Sequence, residues 1–454
     1  MRILSARTLV FGAFVLPLFL GCEFSARSKM LANWESATSW TLEDPPALPP
    51  FVAPNPNNTP RTFEQLIRLP DGQFDLAEAV TALGEETQPI ENNTSDVNDA
   101  AGRRLKILQA ADAWGARLAA DLPENPESRD IVESLRDVFF QGFVTEPVAA
   151  HQTVEYGLES FFFHRRGNCL TAGVAALAAA RRAGVSLYGA QCPGHFFLRW
   201  VGPPDERGRR ETRNFDITLR ELVVDDEFYR RRRGFDERAE KVGAYLKPLG
   251  DRQVLAIWLA SRSGRFCAEN LPGRALRDAE RALKLDPKNI PAWLNRGTAA
   301  AALKRLDEAR DAWLTALTLN PNEPQALVGL AALHVADAEH PLYDPTEARR
   351  RVEAASKALG ERRLSSAAVA PLRRRKSQTL DDDVLLAAYV AAVNAEVYAV
   401  EGKWRAAVRE MQMAANVAPD EKKYVERLDF FRRMLRERTE QGREGSFSGF
   451  GLRP

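Results

Sequence analysis

The chain has 454 residues, 45% hydrophobic and 28% charged, with 63 Lys+Arg against 62 Asp+Glu for a formal net charge of +1. That length suggests about three structural units, and the charge balance gives no general pull toward nucleic acid. Four cysteines exclude a disulfide-framed secreted miniprotein, and five histidines leave little material for a multi-histidine metal site.

Arg2 and Arg7 precede an uncharged apolar run from Thr8 to Leu20, followed by Gly21-Cys22. The run has the length of a signal-peptide core and is too short to span a bilayer. A small residue before a cysteine resembles the bacterial lipoprotein signal. The resemblance implies a signal peptide over 1–21, lipidation of Cys22, and a protein anchored on the periplasmic or cell-surface side of a membrane. Glu23, in place of an aspartate, points by the same resemblance to the outer membrane. Plain secretion and an uncleaved anchor remain the alternatives. Residues 22–62 are rich in proline, with Pro45-Pro46, Pro49-Pro50, Pro54, Pro56 and Pro60, and are expected as an extended tether.

Globular patterning starts near Phe63. Asp75 is placed to cap a helix running to Leu83, and the same apolar spacing recurs over Leu105–Leu118 and Ile131–Phe140, giving a helical lead-in. Phe161 to Cys169 leads into an Ala- and Leu-rich helix that ends before Gly184. Val185–Gln191, Phe196–Val201 and Glu211–Ile217 are strand candidates, separated by Pro193-Gly194 and by a Pro/Gly loop over 202–208.

The tail is expected to be all-helical. Ala-Leu-Lys-Leu-Asp-Pro287 and Ala-Leu-Thr-Leu-Asn-Pro321 recur 34 residues apart, with Trp293, Gly297, Ala309, Trp313 and Ala316 between them. This is tetratricopeptide spacing. Ala275 and Ala282 mark the unit before; Tyr398, Ala407, Ala414 and Pro419 mark a later one. A degenerate unit begins near Leu327 and is interrupted over 338–344. Lys422–Arg438 closes the array, and 439–454 is expected to be a disordered tail. The Arg230–Arg233 and Arg373–Lys376 runs lack interleaved aromatics and are expected to be solvated faces.

Cys169 follows Gly-Asn at a helix start, where unpaired amides and the helix dipole favour a thiolate. A nucleophile needs a base, and the base needs an orienting group. Placing His195 opposite Asp216 in an antiparallel hairpin would centre the turn between Asp205 and Glu206, with Cβ atoms about 5 Å apart. Cys192-Pro-Gly-His195 has too few further ligands for a metal site, and no cofactor is expected. Cys192 is expected as a buried free thiol, with a Cys169–Cys192 disulfide as the alternative. The bland reading takes Cys169 as a small buried residue, His195 as a core histidine and Asp216 as a strand-end cap.

Arg-Arg-Gly-Asn-Cys-Leu-Thr-Ala-Gly, Ala-Ala-Arg-Arg-Ala-Gly-Val, Pro-Gly-His-Phe-Phe-Leu-Arg and Asn-Phe-Asp together resemble the transglutaminase-like (papain-like) superfamily, nearest its SirB type. The resemblance covers roughly 75–240. It implies an α+β transglutaminase-like domain over 63–245, with Cys169 as nucleophile, His195 as base and Asp216 as its orienter. Many SirB-type members have proline where this chain has Cys169. The Cys169 amide is the expected oxyanion donor, with Gln141 or Gln152 as a further candidate. An all-α repeat solenoid over 251–438 would follow, binding a protein or peptide on its concave face. The functional expectation is a cysteine-dependent amidase, peptidase or transamidase. The alternative is a non-catalytic adaptor that uses the repeats and a degenerate enzyme domain.

Overall fold

The computed structural model describes residues 39–41, 43–48, 61–70, 73–86, 96–124, 126–140, 144–145, 157–216, 225–369, 382–419 and 421–440. The apolar N-terminal run, Cys22, Gln141, Gln152, the Arg373–Lys376 run and the tail from 441 lie outside the described residues.

The lead-in helices begin where the sequence supplies caps. Thr62 and Gln65 form a reciprocal capping box at α1 (Phe63–Leu66). Asp75 accepts from the Ala77 and Glu78 amides at α2 (Leu76–Glu85), as its position suggested. α3 (Asp96–Asp121) and α4 (Ser128–Leu135) follow, and a π-helical turn over Arg136–Phe140 extends α4. Val144–Thr145 (β2) pairs in parallel with Arg166–Gly167 (β3). Between them α5 (Leu158–His164) ends on Arg165, held at φ 56°. The Arg165 guanidinium bonds the Val138 carbonyl and lies 4.1 Å from the Trp114 ring centroid. α6 is Cys169–Arg182.

The main sheet has the antiparallel order β1-β6-β5-β4, with β1 Ser39–Thr41, β4 Leu187–Cys192, β5 His195–Pro204 and β6 Arg210–Phe215. β4 to β6 match the three strand candidates. β1 does not match the expected tether: Ser39–Thr41 pairs with Thr212–Arg210 on the sheet edge. Glu43 then binds Lys247 at 2.5 Å and Asp44 binds Arg210 at 3.0 Å. The prolines from Pro45 onward disfavour helix, and the extended chain just before them lies beside an open edge and completes the ladder. The other edge is also covered, by Leu246 and Leu249 amides bonded to the Gln191 and Gly189 carbonyls.

α7 (Asp226–Arg233) and α8 (Glu237–Lys241) lead to helical hairpins α9/α10 (Asp251–Ala268, Pro272–Leu285), α11/α12 (Ile290–Ala302, Leu306–Leu319), α13/α14 (Pro324–Ala336, Pro345–Val369) and α15/α16 (Asp382–Val400, Trp404–Val417), closed by α17 (Lys422–Glu440). Ala309, Trp313 and Ala316 are buried as repeat spacing requires, and Trp313 fills the space where Gly297 and Gly329 lack side chains.

The sheet separates two cores. Phe196, Leu198, Trp200 and Phe215 face α6, in a cluster that also takes Val254, Leu255 and Leu259 of α9. On the opposite face, Cys192, Phe197, Tyr229 and Tyr245 share a cluster with Ile290, Leu294, Leu330 and Leu333 of the repeats. Domain and repeats therefore share both cores, and Asp251 is not a clean boundary. The sequence showed the repeat period but not this second use of its apolar residues. A fragment starting at Asp251 would expose Val254, Leu255, Ile257 and Leu259 along one helix, and we expect it to aggregate or melt without a sharp transition. Circular dichroism of that fragment beside the full chain decides this; a soluble fragment melting as sharply as the whole would contradict the shared core.

Candidate active site

Asn168 starts the helix that carries the candidate nucleophile. Its Oδ1 accepts from the Thr171 amide at 2.9 Å and the Thr171 hydroxyl at 3.2 Å, which makes Cys169 the first helical residue. The alanine-rich body of α6 packs on β4 and β5. At its other end Arg181 Nη1 donates to the Leu187 carbonyl at 2.7 Å, and Nη2 donates to Asp251 at 2.8 Å. Tying the last turn of α6 to the first residue of β4 makes the two run antiparallel. Each is about 20 Å long. Cys169 therefore arrives at the end of the sheet occupied by the Pro193-Gly194 turn and His195. Its side chain is fully buried, at 0% exposure.

Gly194, at φ 63°, lets β4 turn directly into β5, so that Cys192 pairs with His195. His195 Nε2 lies 2.6 Å from Asp216 Oδ2, both side chains buried. Nε2–H donates to the carboxylate, and the buried Nδ1 is the ring nitrogen this bond does not use. The Tyr229 hydroxyl donates to the same Asp216 oxygen at 3.1 Å. Phe197 stacks on Tyr229 with centroids 4.0 Å apart and lies 6.3 Å from the His195 ring.

His195 and Asp216 meet in a different register from the expected one. The loop closes on an Asp205 amide to Arg209 carbonyl bond of 2.7 Å with Gly208 at φ 74°, so its centre is Arg207. A bulge between Val201 and Pro204 follows, and Leu198 pairs with Phe215. Continuing that register sets Asp216 across from Phe197, with His195 on the diagonal. A shift of two residues keeps Asp216 on the same face; a shift of one would have turned it away.

Cys169, Cys192 and Cys267 are all free thiols, so the disulfide alternative is not what the structure holds. Burial pushes both Cys192 and Cys267 up to about 12. Among the described residues, no three His, Cys, Asp or Glu side chains gather as a metal site needs. The Arg230–Arg233 run is only partly the solvated face expected. Arg230 and Arg231 pair with Glu227 and Glu240 at the surface, but Arg232 is buried and Tyr229, beside them, points into the site. Sequence reasoning missed Tyr229 because the flanking charges masked its inward position.

The model of the transglutaminase-like superfamily matches residues 105–260, and that of the tetratricopeptide repeat matches 290–323. The chain thus carries a transglutaminase-like domain followed by a tetratricopeptide repeat. No curated protein matches the chain. Among solved structures it is similar to a crystal structure of menin that reveals the binding site for Mixed Lineage Leukemia (MLL) protein. That match has 14% identity, covers 75% of this chain and 96% of that one, and has a TM-score of 0.32, too low to carry any argument.

Proposed function

From a transglutaminase-like domain whose cores run into tetratricopeptide repeats, we propose a cysteine-dependent acyl-transfer enzyme in which Cys169 is the nucleophile, His195 the base and Asp216 the group that orients it. The observation that carries this reading is the buried His195–Asp216 bond at the end of the sheet where α6 begins. With Nε2 bonded to Asp216, Nδ1 is the ring nitrogen that exchanges protons with the thiol in this reading. The Cys169 thiolate attacks an amide or ester carbonyl and forms a C–S bond. The C–N or C–O bond then breaks as the His195 imidazolium protonates the leaving group, giving a thioester. Water or an amine next adds to the thioester, loses its proton to His195, and expels the thiolate. The Cys169 amide at the start of α6 is the oxyanion donor in this reading.

The test uses an activated ester such as p-nitrophenyl acetate with mass spectrometry of the quenched protein. The acyl group should appear on Cys169, and neither Cys169→Ala nor His195→Ala should carry it. The adaptor reading is favoured by the complete burial of Cys169. It predicts no acyl-enzyme in any variant.

The repeats are protein-binding elements, and we assign the partner to the concave side at α15–α17, whose core includes no residue of the enzyme-like domain. α15 contains a stretch, Asp383–Val400, long and apolar enough to cross a membrane, but half of it is buried and it packs on α13, α14 and α16. We read it as a repeat helix. We assign the anchor to lipid on Cys22. Cys22→Ser should release the protein from membranes or block its processing; tight membrane retention of a processed Cys22→Ser protein, read by fractionation, would contradict this.

A further inference from the structure

We propose that Tyr229 is a positioning residue of this site: its hydroxyl fixes the Asp216 carboxylate that orients His195, and the repeats fix Tyr229. The proposal rests on the functional reading above only for what is being positioned.

Asp216 follows the last residue of β6, where the ladder no longer constrains it. Its Oδ2 receives both His195 Nε2 at 2.6 Å and the Tyr229 hydroxyl at 3.1 Å. Two donors on one oxygen narrow where the carboxylate can lie. The Tyr229 ring is 1% exposed and has little freedom. Phe197 stacks on it at an interplanar angle of 14°, and Phe228 meets it edge-on at 5.4 Å. A phenylalanine would fill that space equally well, so the hydroxyl is there for a polar purpose. Burial, reinforced by the Asp216 carboxylate, drives the phenol well above its usual range, so it stays a neutral donor.

Tyr229 is carried by α7, which packs on α14 of the repeats, and it shares a buried cluster with Leu294, Leu330 and Leu333. The tail is in this way part of the support of the site. The charged and titratable groups around it are Asp216, His195, Cys192 and Arg199 on the sheet, with Asp226, Arg232 and Arg233 on α7. Arg199 is engaged by Asn214 at 2.7 Å and by Asp226 and the Leu246 carbonyl.

The experiment is an NMR titration of the His195 ring in full-length parent and Tyr229→Phe proteins, with thermal melting alongside. Losing the phenol donor leaves Asp216 a stronger acceptor, which stabilises the imidazolium. The His195 midpoint should rise by about half a unit or more, with melting nearly unchanged. In an Asp216→Asn background the same substitution should move His195 no further. A His195 titration that is unchanged by Tyr229→Phe, or shifted equally without the Asp216 carboxylate, overturns the proposal and leaves Tyr229 as packing. Alkylation of Cys169 in the parent separates the two ideas. A sluggish Cys169 with a shifted His195 keeps Tyr229 and removes the nucleophile, whereas a reactive Cys169 with an unshifted His195 does the reverse.

Discussion

Replacing His195 by alanine is expected to slow iodoacetamide alkylation of Cys169 near pH 7 about a hundredfold, the low end of what a positioned base contributes. The thiolate is the reacting form, and on the proposed function His195 is the group that receives its proton. Because Cys169 is buried, alkylation passes through local opening; parent and variant share that step, so their ratio reports the imidazole. Asp216→Ala should slow the reaction about tenfold, since it removes only the group that holds the base. The other two described thiols give a built-in control. Burial raises Cys192 and Cys267 to about 12, so both stay protonated thiols at pH 7 and should label slowly there. Peptide mapping of the alkylated protein reads all three sites at once. Equal labelling of Cys169 in the parent and in His195→Ala would remove the imidazole from the chemistry and leave the adaptor reading.

The largest expected loss of stability follows Asp278→Ala. Arg262 on α9 and Asp278 on α10 are both buried, and two bonds of 2.6 and 2.9 Å join them in a fork. The same guanidinium reaches back to the Leu83 carbonyl at the end of α2, so it links the lead-in to the first repeat hairpin. Removing the carboxylate leaves the buried guanidinium, among the described residues, only Glu86, at 3.4 Å, as an anionic partner, at a cost of up to about 3–5 kcal/mol. Melting should fall by roughly 6–15 °C for a cooperative unit of this size. A paired replacement, Arg262→Met with Asp278→Leu, removes both charges and should recover much of the loss, because no ion is then left uncompensated. A melting point for Asp278→Ala within about 2 °C of the parent would show that this fork does not hold lead-in and repeats together.

Local signals survived from sequence to structure where one residue decides the outcome. Asp75 caps α2, α6 opens at Cys169 after Gly-Asn, Gly194 turns β4 into β5, and the tetratricopeptide spacing buries Ala309 and Trp313. The pairing of His195 with Asp216 was legible because both sit near strand ends on one face, yet its register was not. A three-residue loop followed by a bulge cannot be read by placing a midpoint in a Pro/Gly segment. Long-range associations left weaker traces. Nothing in Ser-Trp-Thr at 39–41 distinguishes an edge strand from spacer, because the edge it completes lies some 170 residues later. Tyr229 was hidden in an arginine run, and its role depends on β6 and α14 both arriving beside it.

The docking of β1 also sets a radius of action. On the lipid anchor proposed at Cys22, a chain also held to the sheet at Ser39 would have seventeen residue steps between the two points, which stretch to about 60 Å at most. A free segment over the whole of 22–62 would reach roughly 140 Å. Shortening that leash by more than half would confine the domain to a shell close to the bilayer. Acyl donors embedded in or lying against the membrane would then meet a high local concentration of the proposed nucleophile, whereas those held deeper in the envelope would meet little of it.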